Sequence, residues 1–139
     1  MSDLQDKVAR SFARQGLMGT LGAELVSVKP GKVVIRAPVT PETGQQHGVA
    51  HAGLTFAIGD SAAGYAALTL MPEESEVVTA EIKINLLAPG SGQALIATGR
   101  VVKPGKRLVV VTAEVAREDG TCVALLQGTM VPVPRTPMG

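Results

Sequence analysis

From Thr43 to Pro72 the chain carries no lysine, no arginine and one acid, Asp60, within the run HGVAHAGLTFAIGDSAAGYAALTLM. A stretch this apolar must cross a membrane or be enclosed by protein. Ala52 to Met71 is 20 residues, long enough to span a bilayer. Yet an aspartate at the centre costs about 2.5–3.5 kcal/mol on insertion scales. Gly53, Gly59 and Gly64 dilute the hydrophobicity, and no basic flank supplies an orientation signal. The run is therefore predicted to be a long helix surrounded by the rest of the fold.

The same setting makes Asp60 anomalous. Burying an ionised carboxylate without a partner costs several kcal/mol or forces it to take up a proton. Along the chain the nearest cations are Arg36 and Lys83, and the residues one helical turn away are Phe56, Ala57, Ala63 and Gly64. No neighbour on the helix can neutralise the acid. It is either a structural acid held by backbone or hydroxyl donors such as Ser61, or a functional group.

A chain of 139 residues is read as one domain, 1–139, large enough to bury about two thirds of its unfolded surface. Aromatics make up 2% and Trp is absent, so the core falls to Val, Leu, Ile, Ala and Met and there is no stacking platform for bases. A formal charge of +1 leaves no electrostatic footprint for nucleic acid. Cys122 is the only cysteine, with His47 and His51 the only histidines, which excludes an internal disulfide and disfavours a structural metal site. The N-terminal MSDLQDKVARSF has no apolar signal region, and a cytoplasmic protein is expected.

Ser2 or Asp3 can cap a short helix, about 3–15, with Leu4, Val8 and Phe12 on one face and Gly16 at its end. Leu21–Lys29 and Lys32–Ala37 flank the turn dipeptide Pro30-Gly31 and read as a hairpin. The apolar helix follows and ends near Pro72, with Glu73, Glu74 and Glu76 in a solvated loop. From Ala80 to Leu87, Ile82, Ile84 and Leu86 alternate with Glu81, Lys83 and Asn85. Gln93–Lys103, Leu108–Glu118 and Thr121–Val131 supply three more strands, leaving a Pro-rich tail, about 132–139, expected to fray. This order, α-β-β-α-β-β-β-β, predicts an α+β hotdog fold: a long central helix wrapped by a curved antiparallel six-stranded sheet. Such a sheet has edges to shield, so dimerisation through an edge strand is expected.

The segment QHGVAHAGLTFAIGDSAAGYAA, with VTAEIKINLLAPG downstream, resembles the hotdog-fold acyl-CoA thioesterases of the phenylacetic-acid-degradation type. In that family a His-Gly-Gly turn opens the central helix and an acid follows two to three turns later. Here the turn is His51-Ala52-Gly53 and the acid is Asp60; Ala52 departs from the family's glycine and adds a methyl group near the thioester. The resemblance implies Gln45 as an amide that bonds the thioester or the attacking water, where the family more often has Asn. It also implies Thr79 as a hydroxyl that orients that water. Coenzyme A would enter as part of the substrate, with no separate cofactor, and the protein would be a homodimer or a tetramer of two dimers.

The chemistry agrees with the resemblance. Thioester hydrolysis needs donors for a developing oxyanion, which the amides of Ala52 and Gly53 at a helix N-terminus supply. It also needs a base or nucleophile, and a carboxylate kept from cations in an apolar setting has the basicity. His51 lies nine residues before Asp60, about 13 Å along a helix, too far for both ends to act on one carbonyl. Two antiparallel central helices in a dimer would bring them together, as the resemblance implies. His51 reads mainly as a residue whose ring bonds the nearby backbone, and His47 as a loop residue. Gly64, one turn after the acid, is a candidate lining of the acyl channel. Arg100, Lys103, Lys106 and Arg107 gather four cations around one hairpin, either as a solvated edge or, as in related enzymes, to hold the phosphates of coenzyme A. Two other functions fit the same frame. One is an acyl-thioester dehydratase pairing His51 with Asp60, the other a non-catalytic acyl-CoA-binding protein.

Overall fold

The computed structural model describes residues 3–135. Its elements run α1 (Asp3–Ala13), α2 (Gly16–Leu21), β1 (Glu24–Lys29), β2 (Lys32–Pro38), a 3-10 turn (Pro41–Thr43), α3 (Ala52–Leu68), β3 (Ser75–Leu86), β4 (Ala94–Pro104), β5 (Val109–Arg117) and β6 (Cys122–Pro134). The six strands form one antiparallel sheet in the order β1-β2-β4-β5-β6-β3. The inner face of the sheet packs on α3, which touches every strand from β2 to β6. This is the hotdog architecture expected from the element order. No helix among the described residues is long and apolar enough to cross a membrane.

Close approach between helix and sheet depends on missing side chains. A methyl group at Gly99 on β4 would collide with the Ala62 carbonyl and stand 2.5 Å from the Ala63 nitrogen. A methyl group at Gly59 on α3 would meet Leu126 at 2.9 Å. Ile58, Ala62, Ala63, Ala66 and Ala67 fill the seam with no exposed surface. The enclosure is not complete, however. Ala52, Gly53 and Phe56 are exposed and Asp60 is half-buried, so one stripe of α3 stands clear of its own sheet.

Several boundaries differ from the sequence reading. α1 stops at Ala13 and Gly16 opens a second helix; the glycine that ends it is Gly22, with φ 69° and its N–H on the Gly19 carbonyl. α1 is a packing helix: Leu4, Val8 and Phe12 join the core, and the Tyr65 hydroxyl on α3 bonds Ser11 Oγ at 3.0 Å and Gln15 Nε2 at 2.7 Å. α3 ends at Leu68 rather than near Pro72. β3 begins at Ser75, because residues 132–134 are not frayed but pair with it, Ser75 opposite Pro134 and Val77 opposite Pro132. Glu76 is thus a strand residue bonded to Arg135, and not part of a loop. The cap assigned to Ser2 and the tail at 136–139 lie outside the described residues.

Candidate active site

The site is built from two parts of α3 and one strand. At the helix N-terminus His51 is the cap residue, and its Nδ1 accepts the Gly53 N–H at 2.7 Å. Its carbonyl takes the Leu54 N–H at 3.0 Å. The Ala52 N–H, first of the helix, has no acceptor among the described residues. The two amides read from the sequence as oxyanion donors therefore differ: Ala52 offers a free donor, while the Gly53 donor is engaged by the histidine ring.

A compact loop presents this end of the helix. Gly44 bridges Ala50, the His51 N–H reaches the Thr43 carbonyl, and the Ala50 N–H reaches the Gly90 carbonyl before β4. Gln45 lies in the loop with its side-chain carbonyl held by the His47 N–H. Its amide nitrogen makes no hydrogen bond among the described residues. His47 is exposed in the same loop.

Eight residues on, Asp60 meets β3. The Thr79 hydroxyl donates to Asp60 Oδ1 at 2.8 Å, and Met130 Sδ lies 3.2 Å from Thr79 Oγ1. A hydroxyl has one proton, and the carboxylate is the stronger acceptor, so the thioether is a packing neighbour. Burial raises the Asp60 pKa above its ordinary value and the Thr79 hydrogen bond only partly opposes this. No cation acts on it. The anomaly noted in the sequence persists in three dimensions.

Thr79 shares the inward phase of Val77, and β3 changes phase just after it. Val77 packs inward, and so do Ile82 and Ile84, which strict alternation from Val77 would forbid. The pairing with β6 steps from Thr79 opposite Met130 to Glu81 opposite Thr129, leaving Ala80 as an extra, exposed residue. This β-bulge re-aims the strand. Beyond it the expected alternation holds as far as Ile84, but Leu86 is 55% exposed instead of packed. Met130, which no sequence argument singled out, lies between Thr79 and the backbone of Gly64. The signal available was the break in phase between Val77 and Ile82.

The remaining candidates divide. Gly64 is buried, and a methyl group there would touch only Met130, at 4.0 Å. It therefore lies beside the Asp60–Thr79 pair and against the core. The four cations do not share one face. Gly99 points at α3, so Arg100 points away, on the outer face of the sheet between Lys32 and Thr112. Lys103 follows a shift in pairing after Val101, and Lys106 and Arg107 are exposed in the turn that joins β4 to β5. Val109, just past that turn, pairs with Met130, which pairs with Thr79. Two strand spacings, about 10 Å, thus separate the start of β5 from Thr79. Among the described residues no three His, Cys, Asp or Glu side chains are grouped to hold a metal.

This arrangement has relatives. The model of the thioesterase superfamily matches residues 47–124, which span both the helix N-terminus and the acid. A solved thioesterase family protein from Silicibacter pomeroyi superposes with a TM-score of 0.90 and 41% identity, over 95% of this chain and 99% of that one. The 1,4-dihydroxy-2-naphthoyl-CoA hydrolase of Listeria monocytogenes is 31% identical over 115 residues, 83% of this chain and 94% of its own. The acyl-coenzyme A thioesterase PaaI of Escherichia coli is 30% identical over 109 residues, 78% of this chain and 76% of its own. The solved structure of PaaI, from the phenylacetic acid degradation operon, has a TM-score of 0.87 and 25% identity and covers 96% of this chain and 95% of that one. The chain belongs to the thioesterase superfamily and is a PaaI-type thioester hydrolase.

Proposed function

We propose that the protein is an acyl-CoA thioesterase, a single domain acting as a homodimer, with Asp60 as general base or nucleophile. The observation that carries this reading is the state of Asp60: a carboxylate with its pKa raised by burial, no cation and one hydroxyl partner, on the stripe of α3 that its own sheet leaves uncovered. In the water route the carboxylate takes a proton from a water held near Thr79 and the water oxygen attacks the thioester carbon. The carbon–sulfur bond then breaks, and the thiolate leaves as coenzyme A with a proton returned from Asp60. The oxyanion formed on the way is held by the Ala52 N–H, joined by the Gly53 N–H when it leaves the His51 ring. Gln45 has a free amide N–H pair beside this end of the helix and suits the thioester or the water.

Acyl-CoA as the substrate class is supported by the named activities of the Listeria and E. coli relatives. Lys106 and Arg107 suit its phosphates better than Arg100, which faces away from the acid. The dehydratase alternative is less well supported, since His51 spends its Nδ1 lone pair on the helix cap.

The test is thiol release from short, medium, long and aryl acyl-CoA esters by the wild type and Asp60→Asn. The wild type is expected to turn over at least one class, with kcat falling by about 10³ or more in the variant. Equal rates for the two proteins, or no turnover of any thioester, would sink the reading.

A further inference from the structure

The bulge just after Thr79 is held from the opposite strand. Gly128 on β6 pairs with Ile82 on β3 and lies two residues before Met130, the partner of Thr79. It faces α3 with Leu126 and Met130, and it is buried. Cross-strand Cβ atoms ordinarily stand about 4.5–5.5 Å apart. A Cβ at Gly128 would instead collide with the Glu81 carbonyl oxygen and stand 2.9 Å from both Cα and Cβ of Ile82. At the bulge β3 has folded down into the place where a side chain of β6 belongs.

We infer that Gly128 is a positioning residue: by leaving that space empty it lets the β3 bulge close onto β6 and so holds the Thr79 hydroxyl on Asp60. This rests on the reading of Asp60 as the reacting carboxylate. Two of the atoms in the way are backbone and the third, Ile82 Cβ, is fixed to it, so none can swing aside as the tip of a side chain can. Ordinary carbon–carbon contact is about 3.5 Å, so a methyl group at Gly128 moves β3 outward by about half an ångström or more. Thr79 is two residues from Glu81, and its bond to Asp60, now 2.8 Å, passes the range where such bonds are strong. Gly64 makes a useful contrast, since a methyl group there meets Met130 at an ordinary 4.0 Å. A missing side chain near the site is thus not enough, and the backbone collision singles out Gly128.

The consequence can be read on Asp60 itself. Within its own helix it has no charged neighbour. β6 brings only Cys122, the Glu81 and Lys83 side chains of β3 are exposed, and Asp60 responds to burial and to the Thr79 hydroxyl alone. The charges of β2, β4 and β5 stand on the outer face or at strand ends. Removing the hydroxyl therefore leaves burial unopposed.

The experiment is a carbon-13 titration of the Asp60 carboxyl in the full chain, for wild type, Gly128→Ala, Thr79→Ser, Thr79→Val and the Gly128→Ala/Thr79→Val double variant, with kcat and KM for thiol release from the best acyl-CoA. Gly128→Ala is expected to raise the Asp60 pKa in the same direction as Thr79→Val, while Thr79→Ser stays near wild type. The double variant should go no further than Thr79→Val alone. Gly128→Ala and Thr79→Val should each lose about tenfold or more in kcat with KM little changed. A folded Gly128→Ala that titrates like wild type, or whose effect adds to that of Thr79→Val, overturns the proposal. If Gly128→Ala does not fold in buffer, the same titration is run in trimethylamine N-oxide, which favours the compact state. Failure to fold there too assigns the contact to folding and overturns the proposal as well. The titrations do not need turnover, so a wild type that releases no thiol defeats the functional reading while leaving the geometry separately tested.

Discussion

Asp60 costs the fold something, and the cost has a sign. Its pKa is raised by burial, so the folded state holds the proton more tightly than the unfolded state does. The carboxyl therefore favours folding fully below about pH 4 and loses that contribution as pH rises through the folded value. At neutral pH the ionised group is a net penalty relieved only by Thr79. Asp60→Asn is accordingly expected to lower thiol release about 10³-fold or more yet raise stability at pH 7, with the gain shrinking toward pH 4. Urea unfolding of both proteins across that range checks it, and a variant less stable than wild type at pH 7 would show that Asp60 is a structural acid. The acid itself was legible in the sequence because twenty-nine uncharged neighbours, Thr43 to Pro72, leave it no local partner. Thr79 entered only through the resemblance, as a hydroxyl that orients the water; its bond to Asp60 was not legible, since the two stand nineteen positions apart on different elements.

At the scale of elements, the strand and helix order could be read because each turn is marked by Pro-Gly, Asp-Gly or a polar run. What could not be read were ends decided by pairing partners far along the chain. Residues 132–134 look like a tail, with two prolines, but become strand because Ser75 to Val77 lie beside them on an edge where proline is tolerated. Arg100 looked like one of a basic cluster because sequence distance does not record which face of a strand a residue takes; that is set by Gly99 turning toward α3. The seating of the helix on that glycine is testable. Gly99→Ala puts a methyl group into the Ala62 carbonyl, where neither element can yield without opening the seam lined by Ile58, Ala62 and Ala66. We expect destabilisation of about 3 kcal/mol or more, at the severe end for overpacking. The measurement is the urea midpoint, and a change under 1 kcal/mol would mean that helix and sheet are not so tightly apposed.

At the scale of the molecule the two halves of the site do not meet within one chain. α3 is unbroken from Ala52 to Leu68, so the free Ala52 N–H stands about 12 Å along the axis from Asp60. Near both lies surface that a soluble monomer would be expected to cover: Phe56 is 37% exposed on α3, and Val78, Leu86 and Leu87 are 48%, 55% and 56% exposed on and just beyond the edge strand β3. In the homodimer proposed above this edge strand would pair with a second copy, and a two-fold axis there would set the acid of one protomer against the helix N-terminus of its partner. Ala52→Pro isolates the N-terminal half. Proline is favoured at the first helical position, the residue before it, His51, already has the extended φ −65° and ψ 142° that proline demands, and Ala52 is exposed. The substitution should therefore remove one N–H and little stability, with kcat falling about 10²–10³-fold. Neither Ala52→Pro nor Asp60→Asn alone should then be active, but a heterodimer of the two has one site with both halves intact. Equal amounts exchanged at random should recover about a quarter of wild-type activity, from half the dimers with one working site each. Thiol release by the mixture no greater than the sum of the two variants would place both halves of each site in a single chain, and the 12 Å gap would then need a different catalytic pair.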